Sequence, residues 1–146
     1  MKVNSNVYPE PREYLQGKIL ANFNVKENVD DEGVVSYSYD QLRFDTYFQE
    51  EVIEKEIAKA LVDIKKQERD YAIDNVIVTT TAGNKFNGED KSQGRMTSAL
   101  LAAAVLGKTE EEWKMADGTI KLIGIEELKE ALALSILEVG RLIKGE

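Results

Sequence analysis

Two repeating patterns of hydrophobic and polar residues divide the chain into predicted strands and helices. From Gly17 to Val29 apolar residues alternate with polar ones, and this period of two is typical of a strand with one solvated face. Asp30–Gly33 is a polar turn that ends in glycine, and the β-rich run Val34–Tyr39 follows as the second strand of a predicted hairpin. The apolar face of the first strand consists of Ile19, Ala21, Phe23 and Val25.

Residues 1–16 lack such a pattern and contain both prolines of the chain, Pro9 and Pro11. Proline has no backbone N–H and biases the residue before it toward extended conformations, so we expect an extended arm or a loop here. Residues 1–46 are therefore predicted to be an extended arm followed by the β-hairpin. A two-stranded hairpin is marginally stable alone, so this one must pack on the next helix, on a later sheet or on another subunit.

A long amphipathic helix is predicted for residues 47–72, with a start at Asp45 or Thr46 and an end near Tyr71. Its apolar residues recur at spacings of four, three and four, which fits either a helix packed on its own domain or a short coiled-coil seam. Gln67 interrupts the seam, so packing within the domain is favoured. The residues that would form an interaction or oligomer face under the second interpretation are Ile53, Ile57, Ala60 and Ile64.

Residues 73–146 are predicted to form an α+β domain with the order hairpin, helix, hairpin, helix, in which one antiparallel sheet packs against the helices. The first hairpin turns at Ala82–Asn84, where Gly83 and Asn84 tolerate positive φ. The second turns at Asp117–Gly118, the favoured two-residue type I′ connection. We expect a core of Val76, Val78, Phe86, Met96, Leu100, Trp113, Ile120, Leu122, Leu128, Leu132 and Val139.

The helices of this domain have recognisable ends. Asp90 or Ser92 is predicted to cap the first helix, and Gly107 ends it. The segment Thr109–Glu112 has the spacing of a capping box, which predicts a short helical turn. The terminal helix starts at about Glu126.

The composition excludes several classes of function. The chain has no cysteine and no histidine, so it has neither a disulfide nor a thiolate metal site, and it lacks the commonest general base. The net charge of −8 argues against binding to a phosphate backbone, so no nucleic-acid partner is expected. No apolar run has the length of a membrane span, and the N-terminus lacks the apolar core of a signal peptide.

No motif of an enzyme or a cofactor site is present. The glycine-containing segment 83–88 matches neither a phosphate loop nor a dinucleotide fingerprint, and no serine elbow occurs. With 27 acidic residues, carboxylates at the separation found in glycosidases arise by chance. We therefore predict a protein that is not an enzyme and that has no cofactor, no metal site and no catalytic residues.

Two residues invite a functional interpretation. Arg95 lies early in its helix, where a positive charge opposes the helix dipole, and a structural ion pair with Glu89, Asp90 or the run Glu110–Glu112 is favoured over ligand binding. Trp113, the only tryptophan, is expected in the core, with stacking on a sugar or base as the alternative. Both are therefore candidate structural or surface contacts.

The segments Asp90–Met96 and Trp113–Gly118, read as Asp-Lys-Ser-Gln-Gly-Arg-Met and Trp-Lys-Met-Ala-Asp-Gly, carry a family resemblance. Together they resemble a small domain of unknown function that is common at the C-terminal end of bacteriophage tail-fibre and related prophage proteins. The resemblance covers about residues 75–144.

The resemblance implies a non-enzymatic phage or prophage protein, tail-associated, that acts in structure or assembly through protein–protein contacts. Its partner would be itself, as a homo-oligomer, or another tail protein, and it would be found in the cytoplasm of the bacterial host or in the virion. One alternative is a small monomeric regulatory or host-takeover module that binds a host protein through the exposed strand of the Gly17–Tyr39 hairpin. A second is a carbohydrate-binding or hydrolytic tail component.

Overall fold

The computed structural model describes residues 1–145 and confirms the α+β class. The chain divides into two compact units, Met1–Lys65 and Lys66–Glu146, and each is described by itself below. The long predicted helix is present as α1, Glu50–Asp74, which begins in the first unit and ends in the second.

The strands of the first unit are β1 Lys2–Ser5, β2 Arg12–Leu15, β3 Lys18–Val29 and β4 Val35–Asp45. They form a four-stranded antiparallel sheet with the order β1-β4-β3-β2. The prediction of an arm or loop at residues 1–16 is wrong, because this segment supplies both outer strands of the sheet. Both prolines lie in the connection between β1 and β2, where they remove no hydrogen bond from either strand.

Two residues other than glycine adopt a left-handed backbone conformation, one just before the long strand β3 and one within it. Gln16 and Gly17 have φ of 50° and 72°, which makes the β2–β3 connection a two-residue type I′ turn. Asn24 has a φ of 53° and lies at the point where the pairing of β3 with β4 shifts, between Phe23 and Lys26. Ile19 and Ala21 lie in the core with Phe23 packed against it, as predicted, whereas Val25 does not join them. The prediction of a solvated opposite face is wrong in the first half of β3, because Leu20 and Asn22 are buried as well.

Helix α1 begins at Glu50, later than predicted, because β4 extends through Asp45. Ile53 and Ile57 are 1% and 7% exposed and pack with the sheet residues of the first unit's core. These two residues therefore belong to the core and are not free to form a coiled-coil seam. Packing within the domain is the interpretation that the sequence favours. Ala60 and Ile64 are half-buried.

Acidification is expected to weaken the first unit through Glu50. Arg12 Nε donates to Glu50 Oε1 at 3.0 Å, and this hydrogen bond holds the pKa of Glu50 below its ordinary value of 4.5. Because the folded-state pKa is depressed, the stabilisation is present above the ordinary value and is lost as the pH falls through the folded value. Glu50→Gln should therefore show a smaller loss of stability than the parent between about pH 5 and pH 3 in urea titrations.

Glu51→Gln is the matched control, since Glu51 is exposed and forms no ion pair in the part of the chain that the structure describes. An identical acid response of the two variants would contradict the role of the Arg12–Glu50 contact.

The second unit contains two separate two-stranded ribbons and two helices in place of the single predicted sheet. Among residues 1–145, one backbone hydrogen bond joins the ribbons: Ala116 N–H donates to Lys85 O at 3.0 Å, at one end of them. The elements are β5 Ile77–Thr79, β6 Lys85–Asn87, α2 Asp90–Leu106, β7 Glu110–Lys114, β8 Ile120–Gly124 and α3 Ile125–Lys144. The core cluster consists of Val76, Val78, Phe86, Met96, Met115, Ile123, Leu128, Ala131 and Val139.

Most of the predicted core of this unit is confirmed, with Leu100, Trp113 and Leu132 partly buried against it. The prediction is wrong for Ile120 and Leu122, which are 70% and 63% exposed. They lie on the outer face of β8.

The second hairpin has a three-residue connection in place of the predicted type I′ turn. Gly118 N–H donates to Met115 O at 3.0 Å, Met115 N–H donates to Thr119 O at 2.8 Å, and Gly118 has a φ of 87°. A type I′ turn would require a positive φ at Asp117, and Asp117 does not have one. The geometry is therefore a type I turn followed by a bulge at glycine. The first hairpin turns in the same way at Gly83, whose φ is 83°.

The helix ends also differ in part from expectation. Glu89 is the N-cap residue of α2 and makes no side-chain cap, while Ser92 Oγ donates to the Glu89 carboxylate at 2.6 Å, so neither Asp90 nor Ser92 caps the helix. Gly107 ends α2 with a φ of 65°, as predicted. The capping-box spacing at residues 109–112 is misleading, because Glu110 already starts strand β7.

Candidate functional site

An open groove of about 430 Å³ lies in the second unit, where β6 and β7 diverge beside the start of α2. From the Lys85–Ala116 hydrogen bond, β6 runs away on one side of the groove and β7 on the other. The floor and walls combine an aromatic ring, two cations and two carboxylates. The lining residues are Asn87, Glu89, Ser92, Arg95, Glu112, Trp113 and Lys114.

The edge of β7 that faces the groove has free backbone groups. Met115 N–H donates to Thr119 O at 2.8 Å and Ile125 N–H donates to Thr109 O at 2.9 Å, so the odd-numbered residues of β7 direct their polar groups toward β8. Glu112 and Lys114 consequently direct theirs to the opposite edge. Within residues 1–145 these outer groups have no hydrogen-bond partner.

The facing edge of β6 has the same property. Gly88 N–H donates to Val76 O at 2.8 Å and Thr80 N–H donates to Asn84 O at 3.0 Å, so the even-numbered residues of β6 point toward β5. The backbone of Asn87 therefore points away from β5, on the groove side. The groove is bordered by strand edges on two sides.

Side-chain hydrogen bonds fix the start of α2 at one wall. Ser92 is buried and its Oγ engages the Glu89 carboxylate, while Gln93 Nε2 donates to the backbone oxygen of Gly88 at 2.8 Å. These contacts hold the first turns of α2, and with them Arg95, in a defined position beside the groove.

Arg95 does not form the structural ion pair that the sequence predicts. It is exposed, and among residues 1–145 it has no hydrogen-bond or ion-pair partner. Two of its expected partners are otherwise engaged, since Glu89 accepts from Ser92 and Glu111 accepts from Lys108 Nζ at 3.2 Å. The prediction of an ion pair is wrong for the part of the chain that the structure covers, and the guanidinium lies at the groove without an ion-pair partner.

Lys114 also lacks an ion-pair partner within the described range 1–145, so a second cation lies on the groove wall. Glu112, two residues away on the same strand face, contributes a negative charge at the rim. The groove is therefore not uniformly charged, and its cations are those of Arg95 and Lys114.

The Trp113 ring is half-buried and packs against the core of the second unit, as predicted. It also lines the groove, and stacking on a sugar or base stays a prediction. The structure thus brings the two singled-out residues, Arg95 and Trp113, to one site. Sequence reasoning missed Asn87 and Lys114. Both contribute backbone groups at a strand edge, and no side-chain pattern reveals which edge of a strand is free.

Asp117 lies outside this groove and is explained by its turn, as the sequence indicates. It accepts hydrogen bonds from Thr119 N at 2.9 Å and Thr119 Oγ1 at 2.7 Å, and the Thr119 hydroxyl is the main cause that lowers the pKa of its carboxyl. In residues 1–145 no three acidic side chains cluster as metal ligands would, and no helix of this range is long and apolar enough to cross a membrane.

The second unit is thus a small α+β domain, in which two hairpins and two helices share a core and leave a groove between the ribbons. The chain belongs to the family described as Domain of unknown function (DUF4376), whose profile matches residues 47–138, more than half of the chain. No curated protein and no solved structure matches it. The predicted membership in a domain family of unknown function is confirmed at this level.

Proposed function

We propose that this chain is a non-enzymatic phage or prophage protein, tail-associated, that acts in structure or assembly through protein–protein contacts. The observation that supports it best is the groove, which offers free strand edges, two cations without ion-pair partners and an aromatic wall within the region matched by the family. These are groups that recognise another chain without reacting with it. The link to a phage tail rests on the resemblance of Asp90–Met96 and Trp113–Gly118 to tail-fibre domains.

The partner would be a tail protein or a second copy of this chain. Ile53 and Ile57 are not available for a homo-oligomer, because they fill the core of the first unit. Apolar side chains that remain exposed in the second unit offer other contact surfaces, and they include Leu101 and Val105 of α2, at 65% and 85% exposure.

Purified particles provide the test of this proposal. We expect quantitative mass spectrometry of particles from the source strain to find the chain at a fixed ratio to the major tail protein, with soluble host proteins depleted as the control. A chain found in the host lysate but absent from the particles would overturn the role as a virion component.

That second outcome would favour the alternative of a monomeric regulatory or host-takeover module. The strand that we expected such a module to expose is not at the sheet edge, because β3 and β4 are the central strands and β2 and β1 flank them. A module of this kind would therefore use another surface. Light scattering of the whole chain separates the two cases further, since an assembly component that contacts itself gives a mass above that of one chain.

A further inference from the structure

We propose that the groove between β6 and β7 binds an extended acidic segment of a partner protein, which adds as a strand to the free edge of β7 and places a carboxylate against Arg95. This inference rests on the proposed function as a protein-contact domain, and it names the kind of partner that the groove fits.

The free edge of β7 provides the backbone part of the site. Glu112 and Lys114 present their outer N–H and C=O groups to the groove without partners in residues 1–145. An added strand pairs with such alternate residues, and its main-chain hydrogen bonds supply affinity that depends little on its sequence. Asn87, on the opposite wall, offers further backbone groups to the same segment.

The two cations determine the chemistry of the segment. A guanidinium binds a carboxylate through two parallel hydrogen bonds, and the adjacent Trp113 ring restricts the access of water on one side. Lys114 lies on β7 itself, and a lysine opposite a carboxylate on an added strand forms a favourable cross-strand pair. Glu112 repels a carboxylate at its own position, so the acidic residue of the segment is placed against a cation of the groove and not against Glu112.

The charge of the whole chain decides how this contact works. The net charge of −8 opposes the approach of an acidic partner at long range, so binding depends on short-range contacts in the groove and not on electrostatic steering.

The experiment uses the full chain and the fluorescence of Trp113, which is the only tryptophan and lines the groove. A displayed library of random linear octapeptides is selected on the immobilised protein, and the enriched peptides are synthesised without tryptophan and titrated against it. We expect enrichment of one aspartate or glutamate flanked by β-branched residues, and a saturable change in the Trp113 emission.

Charge reversal tests the role of Arg95. Arg95→Glu should weaken binding of the enriched peptide by about tenfold or more, because a carboxylate would then face a carboxylate. Lys59→Glu, the same change of charge at an exposed position of α1, should leave the affinity within about twofold. Circular dichroism and thermal unfolding establish that both variants remain folded.

Methylation of the peptide nitrogens tests the strand pairing. Methyl groups on one set of alternate amides should abolish binding, whereas the other set should be tolerated, since only every second residue of a strand bonds to a given edge. The proposal would be overturned if the peptide bound Arg95→Glu as tightly as the parent protein, if methylation of neither set of amides changed the affinity, or if the selection enriched no peptide. It would also be overturned, in favour of a glycan site, if the Trp113 emission responded to an oligosaccharide mixture but to none of the peptides.

These outcomes can be separated from a failure of the proposed function. If no peptide binds but the chain is present in purified particles, only the assignment of the groove is lost. If peptides bind as expected but the chain is absent from particles, the groove remains a docking site for an acidic segment and the role in the virion is lost.

Discussion

Replacing Leu128 with alanine is expected to lower the free energy of unfolding of the second unit by about 3 kcal/mol, within the range of about 2–5 kcal/mol for such changes in cores. Leu128 is 0% exposed and belongs to the core cluster between α3 and the two ribbons. The truncation removes apolar contacts on all sides and leaves a cavity. Urea unfolding followed by Trp113 emission reports this directly, because Trp113 packs against the same cluster.

Leu122→Ala is the matched control for this prediction. The same chemical change at a residue that is 63% exposed should alter the stability by less than about 0.5 kcal/mol. The sequence-based prediction places both leucines in the core, so the pair distinguishes the two interpretations of β8. A comparable loss of stability in both variants would contradict the strand register that the structure gives to the second hairpin.

The second large effect is expected at Gly88, which follows β6 and lies against α3. A Cβ atom at this position would lie 2.7 Å from Ser135 Oγ and 2.8 Å from Val76 Cγ1. Ser135 is 0% exposed and its hydroxyl donates to Ala131 O at 2.7 Å, so it has little freedom to move away. Gly88→Ala should therefore destabilise the unit by about 1–3 kcal/mol through overpacking.

Gly94→Ala provides the control with the opposite sign. Gly94 lies in helix α2, where a Cβ atom would meet nothing within 4 Å, so alanine should stabilise by about 0.5–1 kcal/mol through its helix propensity. Adding Ser135→Ala to the Gly88→Ala variant removes the nearest contact and should recover more than about 0.5 kcal/mol. Strict additivity of the two changes would contradict the close approach of Gly88 to Ser135.

The wrong prediction that Ile120 and Leu122 are buried has a single physical cause. A two-residue turn at Asp117–Gly118 would pair Trp113 with Leu122, whereas the three-residue connection pairs Trp113 with Lys121. A slip of one residue moves every side chain of a strand to the other face, so both apolar residues pass to the outside and Ile123 moves inward. The sequence Asp-Gly is compatible with both turns, and local residues do not decide between them.

The N-terminal segment shows a related limit of local patterns. Pro9 and Pro11 indicate correctly where no strand forms, but the strands on either side have four residues each, too short to establish a period. Gln16 adopts a left-handed φ of 50° in the turn before β3, and glutamine is not among the residues that signal such a turn. The helices, whose periodic patterns are long, were predictable to within a few residues.

The groove could be predicted only in part. Arg95 and Trp113 are conspicuous in the sequence, but their proximity depends on how distant segments pack. The ribbons are held at one end by the bond between Lys85 and Ala116, which are 31 residues apart and whose pairing does not follow from spacing in the chain. The contact of Glu89 with Ser92 is local, but a choice between Ser92 and Arg95 as the partner of Glu89 does not follow from spacing either.

The pairing of a partner strand with the β7 edge has a consequence for how long the contact lasts. A disordered tail or loop that adds as a strand becomes ordered on binding, and each residue that becomes ordered costs about 1–2 kcal/mol of conformational entropy. A single contact of this kind is expected to dissociate readily, whereas many copies arrayed on one particle would hold their partner by avidity.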